Sequence, residues 1–278
     1  MSGWRRAARH RGATVGGLIV AVYLALAILG PLVTPYSPTR GRLLDRLASP
    51  SPQHVLGVDE LGRDVLSRVI AGSRVSLAIQ LAAVGLALGA GLTLGLVAGY
   101  SGGWTDEVIS RLLDLLLAFP GVFLAVAIVA VLEPGVLSVT VATGVVSIPQ
   151  FARLTRGVVL ELARREFVEA GRAVGAGDAR ILARHISPNT LPPVVVQTSL
   201  RMATVLLTAS GLGFLGLGVQ PPSPEWGAML ANARDYLFEA PHVALAPGLA
   251  ITVVVIGFNL LGDGLRDLLD PRLRGAPS

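Results

Sequence analysis

Few residue patterns in this sequence could perform covalent chemistry. Ser101 lies in G-Y-S-G-G, which fits the G-x-S-x-G pattern of serine hydrolases. A serine nucleophile needs a general base within hydrogen-bond reach, and His242 is the plausible base. Residues 211–216 fit the G-x-G-x-x-G dinucleotide pattern, but they follow a long apolar run where that motif requires a strand. Both patterns need a fold that the surrounding sequence does not predict.

Nucleotide, metal and redox chemistry are excluded by residue type. All 23 basic residues are arginine, so this chain cannot form the lysine-containing G-x-x-x-x-G-K-[ST] phosphate loop. It contains no cysteine, and its 4 histidines show no metal-ligand spacing. We therefore predict no catalytic residue, no metal site and no cofactor bound by this chain.

The composition places the chain in a lipid bilayer. Hydrophobic residues make up 52% of the 278 residues and charged residues only 15%, a balance too apolar for an ordinary soluble domain. A helix that crosses a bilayer needs roughly 20 predominantly apolar residues. Six segments are long enough: 12–39, 75–105, 115–132, 134–152, 193–217 and 243–261. The sequence therefore predicts an all-α membrane protein with six transmembrane helices, kinked at Pro120, Pro149 and Pro247.

The distribution of arginine predicts the orientation of these spans. Cytoplasmic loops retain positive charge, and most arginines fall on the inner side when the N-terminus is placed inside. The arginines between Arg40 and Arg74 oppose this assignment, but they alternate with acidic residues. We predict a multi-pass protein of the cytoplasmic (inner) membrane with both termini in the cytoplasm.

The second span carries glycines at four-residue spacing. Gly85 and Gly89 lie on one helix face, and Gly91, Gly95 and Gly99 lie on another. Small residues let helix backbones approach closely in lipid. We predict that these glycines are helix-packing positions, mostly within the chain, with contact to a second membrane subunit as the alternative.

Three charged residues lie in or beside the predicted spans. Arg111 and Asp114 are three residues apart at the inner end of the third span, which favours a pair between them. Arg201 lies a little over two turns into the fifth span, and no acidic residue is found within a turn of it. It must face either protein or a water-filled path.

A polar, arginine-rich segment, residues 161–189, separates the fourth and fifth spans. Its pattern predicts two short helices broken by Gly175 and Gly177, with the second helix ending before the fifth span at Pro188. On the predicted cytoplasmic side of a membrane protein, such a segment indicates docking of another chain. Since this chain cannot bind ATP, a transport function driven by ATP would require a partner that binds the nucleotide.

The polar segment also resembles a known motif. The pattern E-A-G-x-x-x-G, followed by H-I-S-P-N at residues 185–189, is similar to the EAA loop of ATP-binding-cassette (ABC) importer permeases. Gly171 replaces the second alanine of that motif, and Ser187 replaces a leucine. Four further segments resemble the C-type permease subunit of dipeptide and oligopeptide importers: 56–77, 102–121, 210–230 and 246–274.

This resemblance implies a type I ABC importer permease fold whose cytoplasmic EAA loop forms coupling helices. It assigns ATPase docking to Glu169, Ala170, Gly171, Gly175, His185, Pro188 and Asn189. It implies two cytoplasmic ABC ATPase subunits that hold ATP and Mg, a homologous permease subunit and an extracytoplasmic substrate-binding protein, with no nucleic acid. The implied domains are 1–72 (N-terminal tail, first span and outer segment), 73–262 (permease domain) and 263–278 (cytoplasmic tail).

The expected function is the transmembrane permease subunit of an ATP-driven, binding-protein-dependent importer of dipeptides or oligopeptides. Such a subunit forms half of the translocation path and is not itself an enzyme. The same branch of the family carries nickel, glutathione and oligosaccharides, and no residue in this sequence selects among these cargoes. Two alternatives are an ion-coupled secondary transporter, for which Arg201 is the hint, and a rhomboid-like intramembrane serine protease centred on Ser101.

Overall fold

The structure is a computed structural model, described here for residues 11–269. Within that range the backbone is almost entirely helical and no β-strand is present. In chain order the helices are α1 (Arg11–Val33), α2 (Val65–Ser101), α3 (Gly103–Ala118), α4 (Gly121–Leu132), α5 (Val136–Leu162), α6 (Glu166–Ala173), α7 (Asp178–Phe214), α8 (Trp226–Ala233) and α9 (Pro241–Leu269). The predicted positions of both chain termini lie outside the described residues.

The predicted transmembrane helices are present, but one of them is broken. Helices α1, α2, α5, α7 and α9 are each long and apolar enough to cross a membrane. Helices α3 and α4 pass the same test only together, and they meet at 90°. The break follows from Pro120, because a proline disfavours helical backbone in the residue before it, and Phe119 is extended (φ −94°, ψ 136°). The third predicted span is therefore a bent pair of helices.

Helices α2 and α5 form the most extensive helix contact in the bundle. A Cβ atom added at Gly91 would lie 2.5 Å from Cβ of Phe151, and one added at Gly95 would lie 2.5 Å from the carbonyl oxygen of Ala152. At Gly99 the nearest atom would be 2.8 Å away. These three glycines line the α2 side of a backbone-to-backbone approach that no larger residue permits.

The other two glycines of the predicted packing set lie on a different face of this helix. Gly85 and Gly89 are exposed, and a Cβ atom added at either position would have nothing within 4 Å. They therefore make no packing contact within the described part of the chain. Contact with a second membrane subunit is the alternative that stays open for them.

A buried polar link joins three spans in the core. The Tyr23 hydroxyl of α1 donates to Oε1 of Gln80 in α2 at 2.6 Å, and Nε2 of Gln80 donates to the carbonyl oxygen of Met202 in α7 at 2.9 Å. Trp226 of α8 packs on the Tyr23 ring, with 5.4 Å between ring centroids, and its Nε1 donates to the carbonyl oxygen of Val69 at 2.9 Å. Tyr23, Gln80 and Trp226 each donate a hydrogen bond across helices, so the spans are held in a specific register.

The arginines near the start of α2 are structural. Arg63 and Arg68 are each 3% exposed, and both bind the carboxylate of Asp59, at 2.6 Å and 3.2 Å. His54 also pairs with Asp64 at 2.8 Å. Acidic neighbours neutralise these two arginines. Their position on the predicted extracytoplasmic side is therefore compatible with the predicted orientation of the spans.

Ion pairs attach α3 to α5. Arg156 donates two hydrogen bonds to Asp106, at 2.5 Å and 2.6 Å, and Arg153 donates to Asp114 at 2.5 Å. The predicted pair between Arg111 and Asp114 is therefore wrong. Packing of α3 against α5 turns Asp114 toward Arg153, while Arg111 lies 3.6 Å from Glu107 of its own helix.

Candidate functional site

The polar segment, residues 161–189, runs from the end of α5 through α6 into the first turns of α7 and contains the residues predicted to dock an ATPase. Helix α6 ends in a Schellman motif, in which the Ala176 N–H donates to the Gly171 carbonyl at 3.0 Å and the Gly175 N–H donates to the Arg172 carbonyl at 2.9 Å. Gly175 has φ +81°, a left-handed conformation that glycine adopts without a steric penalty. The predicted break between two short helices is found here.

The inner side of the segment is apolar and anchors it to the bundle. Val168 of α6 and Ile181 and Ile186 of α7 are fully buried against Val159 of α5. Gly171 belongs to this inner side, since it is buried and a Cβ atom added to it would lie 3.8 Å from Cγ1 of Ile181. Gly171 therefore packs within the chain and is not part of the exposed surface.

The outer side of α6 combines an apolar strip with acidic residues. Phe167 is 39% exposed and Val174 is 85% exposed, and Ala170 is exposed between them, at spacings of three and four residues. Glu169 is exposed beside this strip. Phe167 and Val174 were not among the predicted docking residues, although their helical spacing with Ala170 was the signal that would have identified them.

One contact fixes the polar segment to the end of α2. The Tyr100 hydroxyl donates to Oδ1 of Asp178 at 2.5 Å, and the Arg172 guanidinium lies 6.0 Å from the centroid of the Tyr100 ring. No sequence signal indicated Tyr100, because the two hydrogen-bonded residues are distant in the chain. This contact ties the first turn of α7 to a membrane-spanning helix.

The second short helix does not end at Pro188, so that prediction is wrong. A π-helical turn at Leu182–Ile186 leads directly into the rest of α7. The wider turn accommodates the missing donor and the ring of Pro188, which would otherwise break an α-helix. Pro188 and Asn189 are exposed and His185 is partly exposed. The last part of the polar segment is therefore the start of α7, one continuous helix of 37 residues that enters the membrane.

The serine and histidine considered as a catalytic pair lie at opposite ends of the bundle. Ser101 is the last residue of α2, whereas His242 lies near the start of that helix. The carbonyl of Gly57 accepts a hydrogen bond from the N–H of Val65, the first residue of α2. A Cβ atom added at Gly57 would be 2.5 Å from the His242 ring. A helix of 37 residues is about 55 Å long at ~1.5 Å per residue. These two side chains cannot form the site of a serine protease.

The architecture matches that of a solved transporter. The MetNI methionine ABC transporter in an inward-facing conformation has a chain that superposes with a TM-score of 0.62, at 18% sequence identity, over 73% of this chain and 96% of that one. At this identity the likeness shows the fold alone. The chain is an all-α membrane protein with the type I ABC importer permease fold.

Sequence comparison then identifies the family. The chain belongs to the binding-protein-dependent transport system inner membrane components, whose family model matches residues 91–275. Residues 2–50 match the N-terminal transmembrane domain of oligopeptide transport permease C. The glutathione transport system permease protein GsiD of Shigella flexneri serotype 5b (strain 8401) is 50% identical over 98% of this chain and 90% of its own length. GsiD of Salmonella paratyphi A (strain ATCC 9150 / SARB42) is 51% identical over the same shares.

Family membership confirms the predicted class of function. The chain is the membrane permease subunit of an ABC importer, a transport subunit and not an enzyme. Membership implies ATPase and binding-protein partners, with ATP bound by the ATPases. It also implies a multi-pass protein of the inner membrane, in agreement with the long apolar helices.

Proposed function

We propose that this chain forms half of the translocation path of an importer for short peptides, glutathione among them. The observation that carries this proposal is its 48–51% identity, over 98% of the chain, to glutathione transport system permease proteins. The other half of the path is a homologous permease subunit. Two cytoplasmic ATPase subunits hold ATP and Mg, an extracytoplasmic binding protein delivers the peptide, and both termini of this chain lie in the cytoplasm.

The docking surface for an ATPase is the outer side of α6 with the start of α7. The exposed residues of the predicted set belong to it: Glu169, Ala170, Gly175, Pro188 and Asn189, with His185 at its edge. The structure adds Phe167 and Val174, whose exposed side chains can fill an apolar groove. Val168 and Gly171 hold this helix against the bundle, so a displacement of α6 is passed to α7 and on into the membrane.

The homologous permease packs on the exposed glycine face of α2. Gly85 and Gly89 provide a surface on which a second helix can approach closely. Among the residues that the structure describes, no atom would lie within 4 Å of a Cβ added to Gly85 or Gly89, whereas the face with Gly91, Gly95 and Gly99 is already occupied by α5. One helix thus serves both the fold of the chain and the proposed pairing of two permeases.

Co-purification tests the assembly. The tagged chain, solubilised from native membranes in mild detergent, is expected to retain a homologous permease and two P-loop ATPases in mass spectrometry. Proteoliposomes that contain this complex and its binding protein are expected to accumulate radiolabelled glutathione in an ATP-dependent way. Recovery of the chain alone, in repeated preparations, would contradict the proposed assembly.

A charge reversal tests the docking surface. Glu169→Arg is expected to leave the chain folded and inserted but to abolish ATPase recovery, because it changes an exposed charge on the docking helix. Glu239→Arg is the matched control, since Glu239 is an exposed glutamate near the opposite end of the bundle. Equal recovery of ATPase with both variants would show that α6 is not the docking site.

A further inference from the structure

A strip of polar residues runs along one face of the membrane helix α7. Gln197, Arg201, Thr204, Thr208 and Gly211 are separated by four, three, four and three residues, which places them on the same side of the helix. Each is exposed or partly exposed in the structure. We call these five residues the polar strip.

This strip is unlike the lipid-facing surface found elsewhere in the bundle. Every exposed residue of α1 from Leu18 to Ile28 is apolar, and these two end residues are 66% and 70% exposed. An arginine in hydrocarbon is strongly unfavourable, and ionisable residues within spans face protein or water. The polar strip therefore does not face lipid.

Arg201 is the centre of the strip and has no ion pair with the residues that the structure describes. It lies about 20 Å from either end of the Ser187–Phe214 segment at ~1.5 Å per residue. Its Nε atom is buried and has no hydrogen-bond partner within the described part of the chain, and the ion pairs found there do not include Arg201. Because Arg201 is only partly buried, the accessible part of this unpaired guanidinium can bind an anion from outside the chain.

The threonines of the strip supply complementary acceptors. The Thr204 hydroxyl donates to the Leu200 carbonyl at 3.2 Å, and the Thr208 hydroxyl donates to the Thr204 carbonyl at 3.0 Å. Each hydroxyl hydrogen is thus used within the helix, while the oxygen lone pairs remain available. Next to a guanidinium, such oxygens suit the N–H groups of a peptide whose carboxylate binds the arginine.

We propose that Arg201 binds the carboxylate of the cargo at the middle of the translocation path. The guanidinium offers two parallel N–H donors that match a carboxylate, and the polar strip forms the water-filled surface along which the peptide passes. This inference rests on the proposed importer function and adds to it a preference for cargo with a free carboxylate.

Water access and charge preference can be measured without transport. Because the chain contains no cysteine, Thr204→Cys creates a single thiol one helical turn from Arg201, and Leu18→Cys on the apolar face of α1 is the control. Both variants, assembled with their partner chains, are treated with an anionic sulfonatoethyl and a cationic trimethylammonium-ethyl methanethiosulfonate. Labelling is expected at Thr204→Cys and not at Leu18→Cys.

The ratio of the two labelling rates tests the anion contact. Adding Arg201→Gln to Thr204→Cys is expected to lower the anionic-to-cationic rate ratio about tenfold, since a nearby unit charge acts oppositely on the two reagents. Arg201→Lys is expected to keep the ratio. An unreactive Thr204→Cys would overturn the water-filled path, and a ratio that does not depend on Arg201 would mean that a partner chain neutralises this arginine.

Uptake of matched peptides tests the cargo preference. In proteoliposomes with the complete importer, Arg201→Gln is expected to reduce uptake of trialanine about tenfold more than uptake of trialanine amide, which lacks the carboxylate. An equal loss for both peptides would overturn the carboxylate contact. If the unaltered importer takes up neither peptide nor glutathione, the proposed peptide function fails, whereas the labelling ratio still decides whether Arg201 attracts an anion.

Discussion

The contact between α2 and α5 makes a sharp prediction for Gly95→Ala. The added Cβ would lie 2.5 Å from the carbonyl oxygen of Ala152 and 2.6 Å from Cβ of Thr155. Neither atom belongs to a flexible side chain, so the two helices must separate by about 1 Å to restore an ordinary contact of about 3.5 Å. Overpacking of this kind costs about 1–3 kcal/mol.

Gly89→Ala is the matched control on the same helix. The new methyl group there has nothing within 4 Å, and alanine is a better helix former than glycine by up to about 1 kcal/mol. The same gain offsets part of the cost at Gly95. The two substitutions should therefore change the free energy of unfolding in opposite directions, with Gly95→Ala less stable than Gly89→Ala by about 2 kcal/mol.

Thermal unfolding in detergent, followed by tryptophan fluorescence, measures this difference. Trp226 is buried in the core and reports on loss of packing. Gly95→Ala is expected to have a Tm about 5 °C below that of Gly89→Ala. Equal Tm values for the two variants would show that the close approach of α2 to α5 does not limit the residue at position 95.

The remaining predictions concern the end of α6 and the buried polar link. Gly175→Ala should increase hydrogen exchange across α6 about fivefold or more, because a left-handed backbone costs a side-chain-bearing residue about 1–2 kcal/mol. Gly177→Ala is the control and should leave the exchange unchanged, since φ is −69° there. Equal exchange in the two variants would contradict this reasoning. Gln80→Leu should destabilise the chain by about 1–3 kcal/mol in detergent unfolding, since a buried hydroxyl and a buried carbonyl lose their partner. Adding Tyr23→Phe should recover part of that loss, and no recovery would show that the hydroxyl is not part of the cost.

Local sequence determined the membrane class and the position of the polar segment. The length of an apolar run fixes whether it can span a bilayer, and this property needs no knowledge of neighbouring helices. The break at Gly175 was also local, since only glycine adopts φ +81° without a penalty. The absence of lysine excluded a P-loop in this chain, and the family was indicated by the residues of the polar segment and of four further segments.

The choice among equivalent residues was made by tertiary structure. Two sets of glycines in α2 have four-residue spacing, but only the set of Gly91, Gly95 and Gly99 meets α5. The rotation of one helix against another depends on residues far along the chain. The bond between Tyr100 and Asp178 joins residues that no local pattern connects.

Pro120 and Pro188 also show what local sequence predicts and what tertiary packing decides. The sequence predicted that both prolines disrupt a helix. Pro120 lies at a 90° bend between two helices, whereas Pro188 follows a π-helical turn within a continuous helix. Proline removes a backbone donor wherever it occurs. Whether the chain then bends or widens by one residue depends on the packing around it. Near Pro188, the burial of Ile181, just before the widened turn, and of Ile186, its last residue, anchors the helix to the bundle on both sides of the turn's centre.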